Sequence, residues 1–196
     1  MKRNISILLL SLIIPLFLIS CSNTSKINTT KESEENNSSI NNGTSAENNT
    51  DSNIEKEESA KIYYYDAISD KIVYINKSIK YTGDNIVPTL IDELKKSPNS
   101  DIPPSISNDI VLNSYNIDND KSTITLDFSS NFASNQNLGS RAESNAITAI
   151  CNTFGSYFNI ENVIITLDGN PYSSGHIYMN EGEAFKVNLS DSIELN

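Results

Sequence analysis

SRAESNAITAICNTFGSYFNIENVIITLDG, residues 140–169, sets a helix directly before a strand. Ile147, Ile150, Cys151, Phe154 and Phe158 recur at the 3-and-4 spacing of one helical face, while Ala142, Ala146 and Ala149 allow close packing. Ser140 with Glu143 three residues on reads as a capping box at the helix start. Asn162–Leu167 is β-branched and apolar, and Asp168-Gly169-Asn170-Pro171 ends it as a turn.

Working outward, the same alternation of strands and helices repeats upstream. Ile62-Tyr63-Tyr64-Tyr65 and 71–76 read as two strands around a turn at 66–70. Gly83-Asp84-Asn85 then opens a helix in which Val87, Leu90, Ile91 and Leu94 form one stripe. Pro88 sits in its first turn, where a missing N–H costs little, and Pro98 follows its end. A loop at 97–109 leads to strands at 111–117 and 123–128, joined by Asp118-Asn119-Asp120-Lys121-Ser122, a hairpin. Residues 129–139 show no period, and a short strand is expected near 184–187. The order β-β-α-β-β-α-β predicts an α+β fold with two helices packed on one face of a mixed sheet.

The N-terminus reads differently. Met1-Lys2-Arg3 precedes an apolar run from Ile5 to Ile19, short of the ~20 residues that span a bilayer and about the length of a secretory signal. Leu18-Ile19-Ser20-Cys21 resembles the lipobox of bacterial lipoproteins. That resemblance implies cleavage after residue 20, lipidation of Cys21, and attachment to the outer face of the cytoplasmic membrane. Residues 21–60 are rich in Asn, Ser, Thr and Glu and lack periodicity, so they read as a disordered tether. Its root-mean-square reach is ~35 Å. Residues 61–196 remain as a single domain, enough for one core.

Composition narrows the chemistry. The 196-residue chain has 14 Lys and Arg against 25 Asp and Glu, net −11, which argues against nucleic acid. Anionic headgroups are repelled as well, so the acyl group has to supply the membrane attachment. With Cys21 acylated, Cys151 has no disulfide partner. The helical stripe makes it a buried thiol rather than a nucleophile. His176 is the only histidine, and the serines near it lack a nucleophile-elbow pattern. Asp118 and Asp120 imitate the start of a calcium loop without its downstream Gly and Glu. No metal, no cofactor and no catalytic residue is expected. Asp127 and Asp168, both at strand ends, read first as turn formers. With His176 they would carry the alternative, a glycan-binding or hydrolytic envelope protein. Alternation along the first strand separates Tyr64 from Tyr63 and Tyr65, so at least one ring is expected outside the core. An interface at Tyr63, Tyr64 and Tyr65 follows from that reading.

Several marks occur in a fixed order. They are Ile102-Pro103-Pro104, Leu126-Asp127-Phe128-Ser129 with Phe132, the helix around Ala146–Thr153, the strand Val163–Gly169, and Glu183-Ala184-Phe185. Together they resemble the GerMN domain, the sporulation and spore germination domain of Gram-positive bacteria, over roughly 61–190. The resemblance implies an α+β module similar to the ring-building modules of secretion-type channels, without catalytic residues. Its expected partners are envelope or septal proteins, including further copies of the chain. The sporulation prototype has two tandem copies, whereas here there is one.

Cys21→Ala is expected to leave the chain as uncleaved, unacylated precursor. Intact-mass measurement of membrane fractions checks this, and a normal diacyl modification in the mutant would refute the anchor.

Overall fold

The computed structural model describes residues 54–195; the apolar leader, Cys21 and most of the expected tether lie outside the described residues. Strands β1 (Glu55–Asp66) and β2 (Lys71–Thr82) form a hairpin, followed by helix α1 (Ile86–Leu94). Strands β3 (Leu112–Asp118) and β4 (Thr123–Phe128), short helix α2 (Phe132–Gln136), long helix α3 (Ser140–Phe158) and β5 (Asn162–Leu167) come next. Three two-residue strands complete the order: β6 (Asn170–Pro171), β7 (Phe185–Lys186) and β8 (Ile193–Glu194).

The α+β class is as expected, but the strands divide into two sheets, β1-β2-β8 and β3-β4-β5-β6, with β7 also on β5. The division has a local cause. At the Tyr63↔Tyr74 position the Tyr63 peptide group turns away from β2, and helix α3 and a loop occupy that side instead of another strand. β4 and β5 are parallel in register Ile124↔Val163 to Phe128↔Leu167, and α3 supplies the crossover such a pair needs. Both register partners alternate inward and outward, with Ile124, Leu126, Phe128, Val163, Ile165 and Leu167 buried.

One core joins both sheets to both long helices. The α1 stripe is buried as read: Val87, Leu90, Ile91 and Leu94 are at most 2% exposed. Burial of such side chains is worth ~1.5–3 kcal/mol each. The connection from α1 to β3 is pinned by buried Ile102, Ile106 and Ile110. It also caps α1, because the amides of Ser105 and Ile106 both donate to the Leu94 carbonyl.

Three expectations change. β1 begins at Glu55, inside the stretch read as tether. Glu55–Ser59 are exposed and strand-forming only through their ladder to Ser78–Thr82, so hydropathy does not reveal them. Tyr81 and Tyr157 hydroxyls donate to the Glu58 carboxylate at 2.5 and 2.6 Å, tying this part of β1 to α3. Second, the Ser140 capping box is absent. Gly139 is the N-cap, without a side-chain cap, and Glu143 points inward. Third, residues 132–136 are helical, anchored by Phe132, which is stacked obliquely on Phe128 at 4.9 Å.

After β7 the chain crosses α3 as a strap and ends beside β2, so it touches both sheets. Asn152 holds it: its Nδ2 donates to the Asn188 carbonyl at 2.6 Å, and the Asn188 amide donates to its Oδ1 at 2.9 Å. Gly155 lets it approach. A Cβ there would lie 2.9 Å from the Val187 Cβ and closer still to its methyl groups. Helical Gly→Ala substitutions ordinarily stabilise by ~1 kcal/mol. Gly155→Ala is instead expected to destabilise by ~1–3 kcal/mol, the cost of overpacking, with partial recovery when combined with Val187→Ala. Urea unfolding of the single and double mutants measures it.

Candidate interaction surface

The β1–β2 turn, Asp66-Ala67-Ile68-Ser69-Asp70, is held by its own side chains. Asp66 accepts the Ile68 amide at 2.9 Å and the Ser69 hydroxyl at 2.6 Å, which lowers its pKa. Asp70 stands at φ 56°, a left-handed position that Asp tolerates. Its carboxylate accepts the Arg141 guanidinium through both oxygens and the Tyr65 hydroxyl at 2.8 Å. The Arg141 bonds lead in holding the Asp70 carboxyl below its usual range. These bonds fix the turn while leaving Ile68 81% exposed at its tip.

Beside the tip is an apolar hollow of about 270 Å³. Tyr65, Pro103, Pro104, Leu138 and Ala142 line it, with Gln136 and Ser107 at its polar margin. Gln136 is itself bound, donating to the Ser105 carbonyl at 2.9 Å and accepting the Ser107 amide at 3.0 Å. A fixed protruding aliphatic group and an apolar hollow thus lie side by side on the surface.

Of the three tyrosines expected at an interface, only Tyr65 lies outside the core, lining the hollow. Tyr63 and Tyr64 are 2% and 1% exposed, which corrects that expectation. Both faces of β1 are covered here. Tyr63 packs on Tyr74 at 5.3 Å, and the Tyr64 hydroxyl reaches the Glu93 carbonyl at 3.4 Å. Burial pushes the Tyr64 phenol up to about 12.

The structure brings Asp127 and Asp168 together through Asn113, whose Nδ2 donates to Asp127 at 3.2 Å and to Asp168 at 2.9 Å. Their remaining oxygens fasten loops. Asp127 accepts the Thr166 hydroxyl and Gly169 amide at 2.6 and 2.7 Å, and Asp168 accepts the Ser130 amide at 3.2 Å. Burial pushes the Asp127 carboxyl up, yet these bonds prevail and leave it below the ordinary value. The Ser130 and Asn113 bonds lower Asp168. A glycosidic acid needs the opposite, a raised carboxyl. His176 belongs to a different group. Its Nδ1 lies 2.9 Å from a Glu143 oxygen, and the other oxygen accepts the Tyr172 hydroxyl at 2.6 Å. Glu143 is 5% exposed and Tyr172 fully buried. The signal for this cluster was present, because the α3 stripe extended back four residues from Ile147 lands on Glu143. Cys151 is buried, which pushes its thiol up and away from reactivity. Asp118 accepts the Lys121 amide at 3.1 Å within the hairpin turn.

A family model described as "Germane: Sporulation and spore germination" matches residues 61–173. The chain belongs to the Germane family. Its fold is similar to the first GerMN domain of the sporulation protein GerM from Bacillus subtilis, at 15% identity and TM-score 0.52, over 68% of this chain and 99% of that one. The tandem GerMN domains of the same protein align at 17% identity and TM-score 0.49, over 70% of this chain and 47% of theirs. A Clostridium perfringens protein described as a candidate lipoprotein aligns at 18% identity and TM-score 0.44, over 67% of this chain and 87% of its own. No curated protein matches. The Germane match contains Ile68 and the whole hollow, whereas His176 and the strap from β7 onward lie beyond it. Among the described residues no helix is long and apolar enough to cross a membrane.

Within this Germane domain, Glu143 also gives a pH test. Burial pushes its carboxyl up, but hydrogen bonds from Ser174, Tyr172 and His176 outweigh burial and leave it below the ordinary Glu value. A carboxyl depressed in the folded state stabilises above its unfolded value of ~4.3, and the gain is lost as pH falls through the folded one. Glu143→Gln is therefore expected to unfold ~1–3 kcal/mol more easily than wild type at pH ~6–7. The difference should shrink below pH ~4. Thermal melts across pH measure it, and a constant gap would refute the carboxylate's role.

Proposed function

We propose that this Germane-family chain is a membrane-anchored extracytoplasmic lipoprotein whose domain docks onto other proteins during spore formation, germination or envelope assembly. The single observation that carries the docking reading is the rigid turn presenting Ile68 beside the Tyr65–Leu138 hollow. The lipobox-like Leu18–Cys21 and the polar stretch behind it support the anchor. Twelve residues of β1 at ~3.3 Å each put this surface ~40 Å from the strand's start, where the N-terminal segment joins. The chemistry of Asp127, Asp168 and His176 supports docking over glycan cleavage, since each is engaged in holding a loop or helix.

Deletion of the gene is expected to lower spore yield, germination rate or envelope integrity, with recovery on expressing the full chain. Ile68→Asp should accumulate, melt like wild type and fail to restore the phenotype. Full restoration by Ile68→Asp would reject this surface as the docking site. A deletion without phenotype in sporulation, germination or wall integrity would reject the function.

A further inference from the structure

Ile68 and the hollow occupy one patch, the first a bump and the second a socket. We infer that a second copy of this chain docks there, each copy seating its Ile68 in the other's hollow around a two-fold axis. The inference rests on the docking reading above and names its occupant.

Three features favour a second copy. The first is size. Pockets for small ligands usually run to ~300–1,000 Å³. A dry aliphatic cavity of ~150 Å³ already takes a benzene-sized group. A hollow of about 270 Å³ lies just under that range and has room for an aliphatic side chain with its flanking backbone.

The second is self-complementarity. An isologous contact requires one patch to carry both the inserting group and the site that receives it. Ala67 lines the hollow and Ile68 follows it in the turn, so the two are adjacent. Asp66, Ser69, Asp70 and Arg141 hold the turn in place before contact, so little conformational freedom is lost on docking.

The third is charge. A chain of net −11 repels its own copies over most approaches. Here Asp66 and Asp70 are matched by Lys71, opposite Asp66 in the ladder, and by Arg141, bound to Asp70. Glu143, next to Ala142, is buried, and the further acids near the hollow in sequence are Asp101 and Asp109, each two residues from a lining residue. Two copies can meet at the turn with Asp70 already paired and a lysine standing opposite Asp66. A turn and one hollow per copy make a contact smaller than a standard stable interface, so the pairing is transient in dilute solution. Confinement to one membrane surface raises its effective concentration.

The test uses the full-length chain in its membrane, expressed as two differently tagged copies. A photoreactive phenylalanine analogue replaces Ile68 in one of them. The expected adduct carries both tags, with the new bond on the peptide containing Leu138 or Ala142. Ala142→Glu or Leu138→Glu in the other copy should lower the yield at least roughly tenfold while leaving the melting temperature in place. No double-tagged adduct, an adduct mapped outside the hollow, or adducts with a different protein alone would each overturn the second copy as occupant. If Ile68→Asp still fails to restore the phenotype in that case, the docking reading survives and only its occupant changes.

Discussion

The peptide group of Tyr63 faces away from β2 into the core, and two buried hydroxyls answer it. Its amide donates to Thr153 Oγ1 at 3.0 Å, and its carbonyl accepts from Ser105 Oγ at 3.0 Å. An unanswered buried group of this kind costs ~1–3 kcal/mol. Left open, β1 would also be a raw edge. Thr153 is therefore fixed at one height along β1, and α3 with it. The helix face on either side then has defined neighbours. Asn152 clamps the strap, Gly155 admits Val187, and Phe154 enters the core between the sheets. The loop that carries Ser105 caps α1 at Leu94 and bears Pro103 and Pro104, so the same constraint shapes the hollow.

The alternation of elements was legible because most of the domain obeys simple periods. The α1 stripe and the β4 and β5 alternation are buried as their spacing implies. What escaped was structure made by partners distant in sequence. Glu55–Ser59 are polar and exposed, and only the opposing β2 backbone makes them a strand. β8 has two residues in register with Val73 and Tyr74, too few to show any period. Of the Tyr63–Tyr65 run, Tyr65 lies outside the core as expected, whereas Tyr63 and Tyr64 are buried because alternation distributes side chains between two faces without saying that both are covered. Glu143 followed the local rule for a helix start, yet a tyrosine hydroxyl and an imidazole from residues 172 and 176 drew it inward. Local capping is worth ~1 kcal/mol, and a charge-assisted buried pair exceeds that.

The buried polar residues share one task. Glu93 holds Lys77 of β2 and Lys96 beyond α1, Asn152 holds the strap, and Glu143 holds the segment after β6. Asp127 and Asp168 do the same at the ends of β4 and β5. In each case an acid or amide fastens a segment that lacks enough apolar surface to fasten itself. Groups used in this way are held charged or fully bonded, which is poor preparation for proton transfer.

Ile68 fits none of these structural roles. The turn is closed by Asp66, Ser69, Asp70 and Arg141, so a polar residue at 68 would serve the fold equally well. Isolated exposed aliphatic residues are ordinary on protein surfaces and need no explanation by themselves. This one differs because the backbone beneath it is locked on both sides and an apolar hollow opens next to it. Leu138, half-buried just before α3, and the exposed Pro103 repeat the pattern of apolar side chains left at the surface on rigid supports. Selection for stability alone favours neither the exposure nor the rigidity. Contact with another folded surface uses both, since exposure supplies area to bury and rigidity reduces what is lost in burying it.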